Sequence, residues 1–150
     1  MQLLIPPPLV LALIGAAMWA VDRLLPLTRI TSALLQPLSM ALLAVGLLLM
    51  LSAAASLVLS RTTINPLRPD NASRLITSGV FTVSRNPIYL GDLLLLAAWA
   101  VWLGNAINAV WLGAFVWYIQ RFQIEPEERA LTRLFGERYR AYCANVRRWL

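Results

Sequence analysis

The sequence predicts an all-α integral membrane protein with about four transmembrane helices and a cytoplasmic amphipathic helix at its C-terminus. Of the 150 residues, 59% are hydrophobic and 13% are charged, whereas about a quarter of the residues of a soluble domain are charged. The mean hydropathy is +0.67, and the apolar residues form runs of membrane-spanning length. The basic residues are all arginine and lie mostly between and after these runs. We therefore expect a single membrane domain over residues 1–150.

Residue usage argues against several kinds of site. The chain has no histidine and one cysteine, Cys143, so we expect neither an internal disulfide nor a metal centre built from imidazole or several thiolates. Cys143 also lacks a histidine partner and is not interpreted as a nucleophile. The formal net charge of +6 indicates membrane topology rather than nucleic-acid binding, because no nucleic-acid-binding motif is present.

Residues 1–59 are predicted to form two anchoring helices. The first, over residues 9–25, is apolar except for Asp22 and Arg23 near its end. Its start has no basic residue, which favours a retained helix over a cleaved signal peptide. The second, over residues 38–59, carries no charge and is long enough to cross about 30 Å of hydrocarbon at about 1.5 Å per residue.

Residues 60–87 are predicted to form a polar loop. It carries two turn signals, Ser-Gly at 78–79 and Asn-Pro at 86–87. Between them, residues 80–83 have a β-like composition.

A tight helical hairpin is predicted over residues 88–122. Its two apolar runs, 88–103 and 106–122, are separated by Gly104 and Asn105. Each run is near the lower length limit for a transmembrane helix.

The last segment, residues 123–150, is predicted to be an amphipathic helix that closes over the loop. Acidic residues at 125–128 suit the first turn of a helix, and Pro126 suits its first position. Apolar residues then recur at helical spacing. Eleven of the thirteen arginines fall in the loop or after residue 120, which predicts that both polar segments and both termini are cytoplasmic in a bacterial inner membrane.

A set of motifs in a fixed order resembles a known family of membrane enzymes. The motifs are Leu75-Ile-Thr-Ser-Gly-Val-Phe, Ser84-Arg-Asn-Pro-Ile-Tyr-Leu-Gly, Glu125-x-Glu-Glu, Phe135-Gly-Glu-x-Tyr-x-x-Tyr and Val146-Arg-Arg-Trp. Together they resemble the isoprenylcysteine carboxyl methyltransferase family and the related membrane phospholipid methyltransferases. The resemblance implies S-adenosylmethionine as methyl donor. It also implies a lipophilic acceptor, an isoprenylcysteine-like carboxylate, a lipid or another small amphipathic molecule, entering from the bilayer.

The resemblance also implies the residues of the site. The cofactor-binding residues fall on the loop, the start of the third helix and the tail: Ser73, Arg74, Leu75, Ile76, Gly79, Phe81, Arg85, Asn86, Pro87, Ile88, Tyr89 and Glu127. Glu128, Arg121 and Arg129 are predicted to be catalytic, the arginines as cations that meet an acceptor carboxylate. A carboxylate acceptor needs no base, whereas an amine would lose a proton to Glu127, Glu128, Asp92 or a tyrosine. The sequence leaves both acceptors open.

Three positions depart from the family pattern. Asn86 stands where many members have histidine, Phe81 where tyrosine is common, and Gln123 where eukaryotic members place an arginine for the substrate carboxylate. Asparagine donates a hydrogen bond but does not titrate. These departures leave two other functions open: an NADPH-dependent membrane reductase of the sterol-reductase type, and a non-enzymatic membrane assembly subunit.

Local structural roles are expected alongside the functional ones. Asn86 is expected to cap the third helix. Asp92, one turn inside that helix, is expected to form a salt bridge with Arg85 or Arg121. Tyr89 and Tyr139 are expected to be aromatic residues of the membrane interface.

Overall fold

The structure is a computed structural model that describes residues 5–25, 30–60 and 74–150. Within these segments the regular elements are helices, which confirms the predicted all-helical chain. The six α-helices of this described part are α1 (Pro7–Leu24), α2 (Leu35–Leu59), α3 (Pro87–Leu103), α4 (Ala109–Ile119), α5 (Glu125–Phe135) and α6 (Glu137–Asn145).

Two helices of the described segments are long and apolar enough to cross a membrane. α1 has 18 residues and a mean hydropathy of 1.4, and α2 has 25 residues and a mean hydropathy of 2.5. α3 is also apolar but has 17 residues, so its predicted crossing, like that of the fourth run and the orientation of the chain, stays a prediction.

α2 packs against α3 through small residues. The buried residues of α2 are Ser39, Gly46 and Ala53, which recur every seventh position and so form one narrow stripe. A Cβ atom placed on Gly91 of α3 would lie 2.2 Å from Cγ of Met50 and 2.9 Å from the backbone oxygen of Gly46. The two helix backbones therefore approach each other closely, as small residues permit in membrane helices.

The apolar core lies between α1, α3 and α4. Its fully buried members include Met18 of α1 and Phe115 and Ile119 of α4, with Leu96 of α3 almost as deep. Trp99 of α3 adds a polar contact by donating from its indole nitrogen to the backbone oxygen of Gly15 at 3.1 Å. α1 and α4 thereby fix the face of α3 that carries Tyr89, another member of this core.

The turn after α3 forms at the predicted Gly-Asn pair. Gly104 has φ +66°, a left-handed conformation that favours glycine. A Cβ at this position would also lie 2.8 Å from the backbone oxygen of Ile30. The backbones at Ile30 and Gly104 are also joined by a hydrogen bond, in which the Ile30 N–H donates to the Gly104 carbonyl at 2.6 Å.

The prediction of a β-like conformation for residues 80–83 is wrong. The structure has a 3₁₀ helix at Gly79–Thr82. Gly79 has φ +62°, and the Thr82 hydroxyl donates to the Gly79 carbonyl at 2.7 Å. These local contacts turn the chain towards the start of α3, so the β-branched composition of this stretch does not decide its conformation.

The tail also differs from the single helix that was expected. α4 continues without a break through a π-helical turn, Gln120–Ile124, into α5. Pro126 therefore lies inside a continuous helical rod, and the wider π-helical turn immediately precedes it. Gly136, at φ +51°, then separates α5 from α6.

Candidate active site

The described part of the loop and the C-terminal tail meet around Glu128. The Arg85 guanidinium lies 3.2 Å from the Glu128 carboxylate. Arg148 donates to both carboxylate oxygens, at 3.0 Å from Nε and 2.6 Å from Nη2. Bidentate arginine–carboxylate contacts of this kind are among the stronger side-chain hydrogen bonds. Glu128 thus joins the loop, α5 and the C-terminus through two cations.

Glu127, the next residue, faces a different environment. The buried Tyr89 hydroxyl donates to its carboxylate at 2.5 Å. Burial raises the pKa of Glu127 to about 8, the charge of Glu128 adds to that rise, and the hydrogen bond from Tyr89 opposes it. Glu128 is compensated by two arginines, whereas Glu127 is held by a neutral donor. Two adjacent carboxylates in such different settings are suited to different tasks.

Asp92 does not form the expected salt bridge. It is buried, with 5% of its surface exposed, but the two arginines named for it are engaged elsewhere in the described structure. Arg85 contacts Glu128, and Arg121 donates to Glu125 at 2.6 Å. Arg121 sits on the same continuous helical rod as Glu125, so a partner four residues away is available without long-range packing.

A cavity of about 690 Å³ opens beside Glu128, within the usual size range of ligand pockets. Half of its ten lining residues are arginines: Arg85, Arg129, Arg133, Arg140 and Arg148. Tyr139 and Cys143 of α6 contribute to the wall. In the described structure the buried Nε of Arg85 has no hydrogen-bond partner.

α6 also forms hydrogen bonds with the loop. The Tyr142 hydroxyl donates to the Phe81 carbonyl at 2.6 Å, and Arg85 Nη1 donates to the Cys143 sulfur at 2.6 Å. Burial raises the pKa of Tyr142 to about 12, so its hydroxyl stays a donor across the physiological range. Tyr89 and Tyr139 are 6% and 4% exposed, and the expectation that they are interfacial aromatic residues is therefore wrong.

Asn86 precedes α3 as expected, but its side chain makes no capping hydrogen bond. Its Nδ2 instead donates to the backbone carbonyl of Arg148 at 2.9 Å. This contact spans 62 residues, and it draws the amide away from the helix start. The predicted side-chain cap is therefore wrong, while Pro87 does occupy the first position of α3.

The structure brings some predicted site residues together and separates others. Arg85, Glu128 and Arg129 line the cavity, and Tyr89 contacts Glu127. Arg121 is exposed, and its ion pair in the described part of the chain is with Glu125, four residues away. The remaining described residues predicted for the loop and helix start are Arg74, Leu75, Ile76, Gly79, Phe81, Asn86, Pro87 and Ile88. The role of each stays a prediction, and Ser73 lies outside the described residues.

Gln123 does not replace the family's acceptor arginine at a surface. It is fully buried and donates to the Ile5 carbonyl at 2.7 Å, so it ties the π-helical turn to the start of α1.

No site role was predicted from the sequence for Arg148, Cys143 and Tyr142. The Val-Arg-Arg-Trp motif and the paired tyrosines of the tail did carry the family resemblance, and that spacing was the available signal. Tyr142, Cys143 and the Arg148 carbonyl have partners on the loop some 60 residues earlier, and the Arg148 side chain has its partner on α5, 20 residues earlier. No local pattern identifies such contacts.

Comparisons with known proteins agree with the resemblance. A phospholipid methyltransferase family profile matches residues 35–138. An uncharacterized protein of Haemophilus influenzae is 49% identical over 65 residues, which is 42% of this chain and all of that protein. Protein-S-isoprenylcysteine O-methyltransferase B of Arabidopsis thaliana is 32% identical over 87 residues, 58% of this chain and 44% of the enzyme. Its counterpart A is 35% identical over 72 residues, 48% of this chain and 36% of the enzyme.

The aligned part of this chain thus spans less than half the length of either plant enzyme. No solved structure matches significantly. The family match covers more than half of the chain, and it includes Arg85, Tyr89, Glu127 and Glu128. This chain belongs to the phospholipid methyltransferase family.

Proposed function

We propose that the protein is a membrane methyltransferase that uses S-adenosylmethionine and acts on a lipophilic acceptor at the cytoplasmic face of a bacterial inner membrane. The observation that carries the proposal is the junction at Glu128. There the described loop, α5 and the C-terminus converge on one cavity, and seven of its ten lining residues are charged.

The residues of the junction fit the chemical groups of the cofactor. S-adenosylmethionine supplies an electrophilic methyl group on a sulfonium centre, together with a carboxylate, an ammonium and an adenosine. The guanidinium of Arg85, which lines the cavity, suits the carboxylate. Glu127 suits a cationic group when it is ionised, and Tyr139 offers an aromatic wall for a purine. The predicted cofactor assignment of Arg85, Tyr89 and Glu127 is retained in this proposal.

The chain's contribution to methyl transfer is positioning. An in-line displacement requires the acceptor atom to be held opposite the leaving group with water excluded. Tyr89 is a buried member of the apolar core, so its hydrogen bond holds the Glu127 carboxylate in a setting with little water. The exposed apolar side chains of α1 and α2 support an acceptor that enters from the bilayer.

The acceptor class is proposed from the relatives and from the cavity. The two plant relatives are named as O-methyltransferases of isoprenylcysteine, and the surplus of arginines around the cavity favours an acceptor with an anionic group. Arg129 is the proposed contact for that group. We include lipids and small amphipathic molecules with an anionic group in this class.

The test is transfer of radiolabelled methyl groups from S-adenosylmethionine by the purified protein in liposomes of bacterial lipid extract. We expect label in the organic phase with the unmodified protein and at least a tenfold loss with Glu128→Gln, since the carboxylate would no longer bind two arginines. Glu137→Gln is the matched control, because Glu137 is exposed and pairs only with Arg140 on the surface. Equal transfer by Glu128→Gln and the control would count against the proposed site.

A further inference from the structure

The last residues of the chain form a non-helical segment that crosses the candidate site. We name residues 146–149 the C-terminal clasp. Val146 leaves α6 in an extended conformation, with φ −126° and ψ 130°. Beyond it, the Trp149 side chain packs against the apolar core and its indole nitrogen donates to Gln120 at 3.4 Å. The clasp is therefore held at its far end by the helical bundle.

Backbone oxygens of the clasp hold the end of the loop. The Arg85 N–H donates to the Arg147 carbonyl at 3.1 Å. The Arg148 carbonyl accepts from Asn86 Nδ2 at 2.9 Å and from the Ser84 hydroxyl at 3.4 Å. Three consecutive loop residues are thus bonded to two consecutive clasp residues, immediately before α3 begins.

The Arg148 side chain fixes the clasp to α5 at the same point. Its two bonds to Glu128 are partly shielded from solvent, with 31% of the Arg148 side chain and 18% of the Glu128 side chain exposed. Arg85 contacts the same Glu128 oxygen that accepts from Arg148 Nε. Removing Arg148 would leave Glu128 with one cation in place of two and would free the clasp from α5.

We propose that Arg148 is a positioning residue: through Glu128 and through the clasp it sets the conformation of residues 84–86, and so the placement of Arg85 and the start of α3 in the cofactor site. Asn86 takes part as the side-chain donor to the clasp. The consequence for cofactor binding rests on the proposed function, whereas the consequence for loop order does not.

The experiment measures loop order and ligand binding separately in the same proteins. Hydrogen–deuterium exchange of the purified protein reports the backbone amides of residues 79–86, and calorimetric titration with S-adenosylhomocysteine reports the site. The variants are Arg148→Ala, Arg148→Lys and Arg147→Ala. The last is the matched control, because the Arg147 side chain is exposed and its contact to the loop is through the backbone carbonyl.

We expect Arg148→Ala to accelerate exchange at the Arg85 amide about tenfold or more and to weaken S-adenosylhomocysteine binding by a similar factor, as loss of a charged hydrogen-bond pair commonly does. Arg148→Lys keeps the charge but not the two-pronged geometry, so it should fall between Arg148→Ala and the unmodified protein. Arg147→Ala should match the unmodified protein in both measurements.

Two results would overturn the proposal. Weakened binding with unchanged exchange would make Arg148 a direct ligand contact, and unchanged exchange with unchanged binding would leave the clasp without a positioning role. If the unmodified protein binds no S-adenosylhomocysteine, the proposed function fails but the exchange measurement still decides whether the clasp orders the loop. Should Arg148→Ala not accumulate as a folded protein, Arg148→Lys carries the same comparison.

Discussion

Removing the Tyr89 hydroxyl should raise the pKa of Glu127 further. In the structure burial and the Glu128 charge raise that pKa to about 8, and the hydrogen bond from Tyr89, 2.5 Å long, works in the opposite direction. Hydrogen bonds to charged groups contribute about 1.5–3 kcal/mol, and about 1.4 kcal/mol corresponds to one pKa unit. We therefore expect Tyr89→Phe to raise the pKa of Glu127 by about one to two units.

The groups around Glu127 determine which control isolates this effect. Tyr89 and Asp92 lie on α3. Glu128 on α5 is itself bound by Arg85 and Arg148, so its charge is compensated in both proteins under comparison. Infrared difference titration, with Glu127→Gln as the reference that removes the band, measures the protonated carboxyl of Glu127 directly.

The unmodified protein should show a midpoint near 8, and Tyr89→Phe a midpoint about one to two units higher. The same shift has a consequence for stability. A carboxyl whose pKa is raised from 4.5 to about 8 on folding stabilises the folded state fully below pH 4.5, and this contribution is lost as pH rises through 8, by at most about 1.4 kcal/mol per pH unit. Glu127→Gln should abolish that slope. An unchanged midpoint in Tyr89→Phe would refute the assigned hydrogen bond.

Two further predictions concern packing and the surface. Gly91→Ala should destabilise the protein by about 1–3 kcal/mol, because the added methyl group would meet Met50 and the α2 backbone. Gly113→Ala is the control and should not destabilise it, since Gly113 has open space around it. Equal unfolding temperatures of the two variants in detergent would contradict the close α2–α3 contact. Arg121→Gln should change the free energy of unfolding by less than about 1 kcal/mol, since the pair of Arg121 with Glu125 is a surface pair. A large loss of methyl-transfer activity in this folded variant would therefore assign Arg121 to acceptor binding. Unimpaired transfer would remove Arg121 from the catalytic residues.

The apolar helices were predictable because the length of each hydrophobic run indicates where a helix begins and ends. Residues 38–59 carry no charged side chain, and the structure extends that run by about one turn to α2. Gly104 likewise marks a turn in both the sequence and the structure. The π-helical turn at Gln120–Ile124 was missed because Pro126 after acidic residues has the same local pattern as a helix start. Gly136 carried a usable signal, since glycine after an apolar helical residue commonly ends a helix.

The candidate site was predictable only in part. The motif order identified Arg85, Tyr89, Glu127 and Glu128, which the structure brings into two neighbouring contacts. It did not show that Asn86 bonds to the C-terminus in place of capping α3, because that bond depends on a segment 62 residues away. Local sequence rules describe the conformation that a residue favours among its chain neighbours. At Asn86 a tertiary contact outweighs that local preference.

The measurement that tests the central claim most directly is calorimetric titration of the detergent-purified protein with S-adenosylmethionine and S-adenosylhomocysteine, with NADPH as the control ligand. We predict micromolar binding of both adenosyl ligands, weaker binding in Glu127→Gln, and none of NADPH. Absence of adenosyl-ligand binding in a sample that is demonstrably folded would contradict the account, and NADPH binding in its place would indicate a reductase.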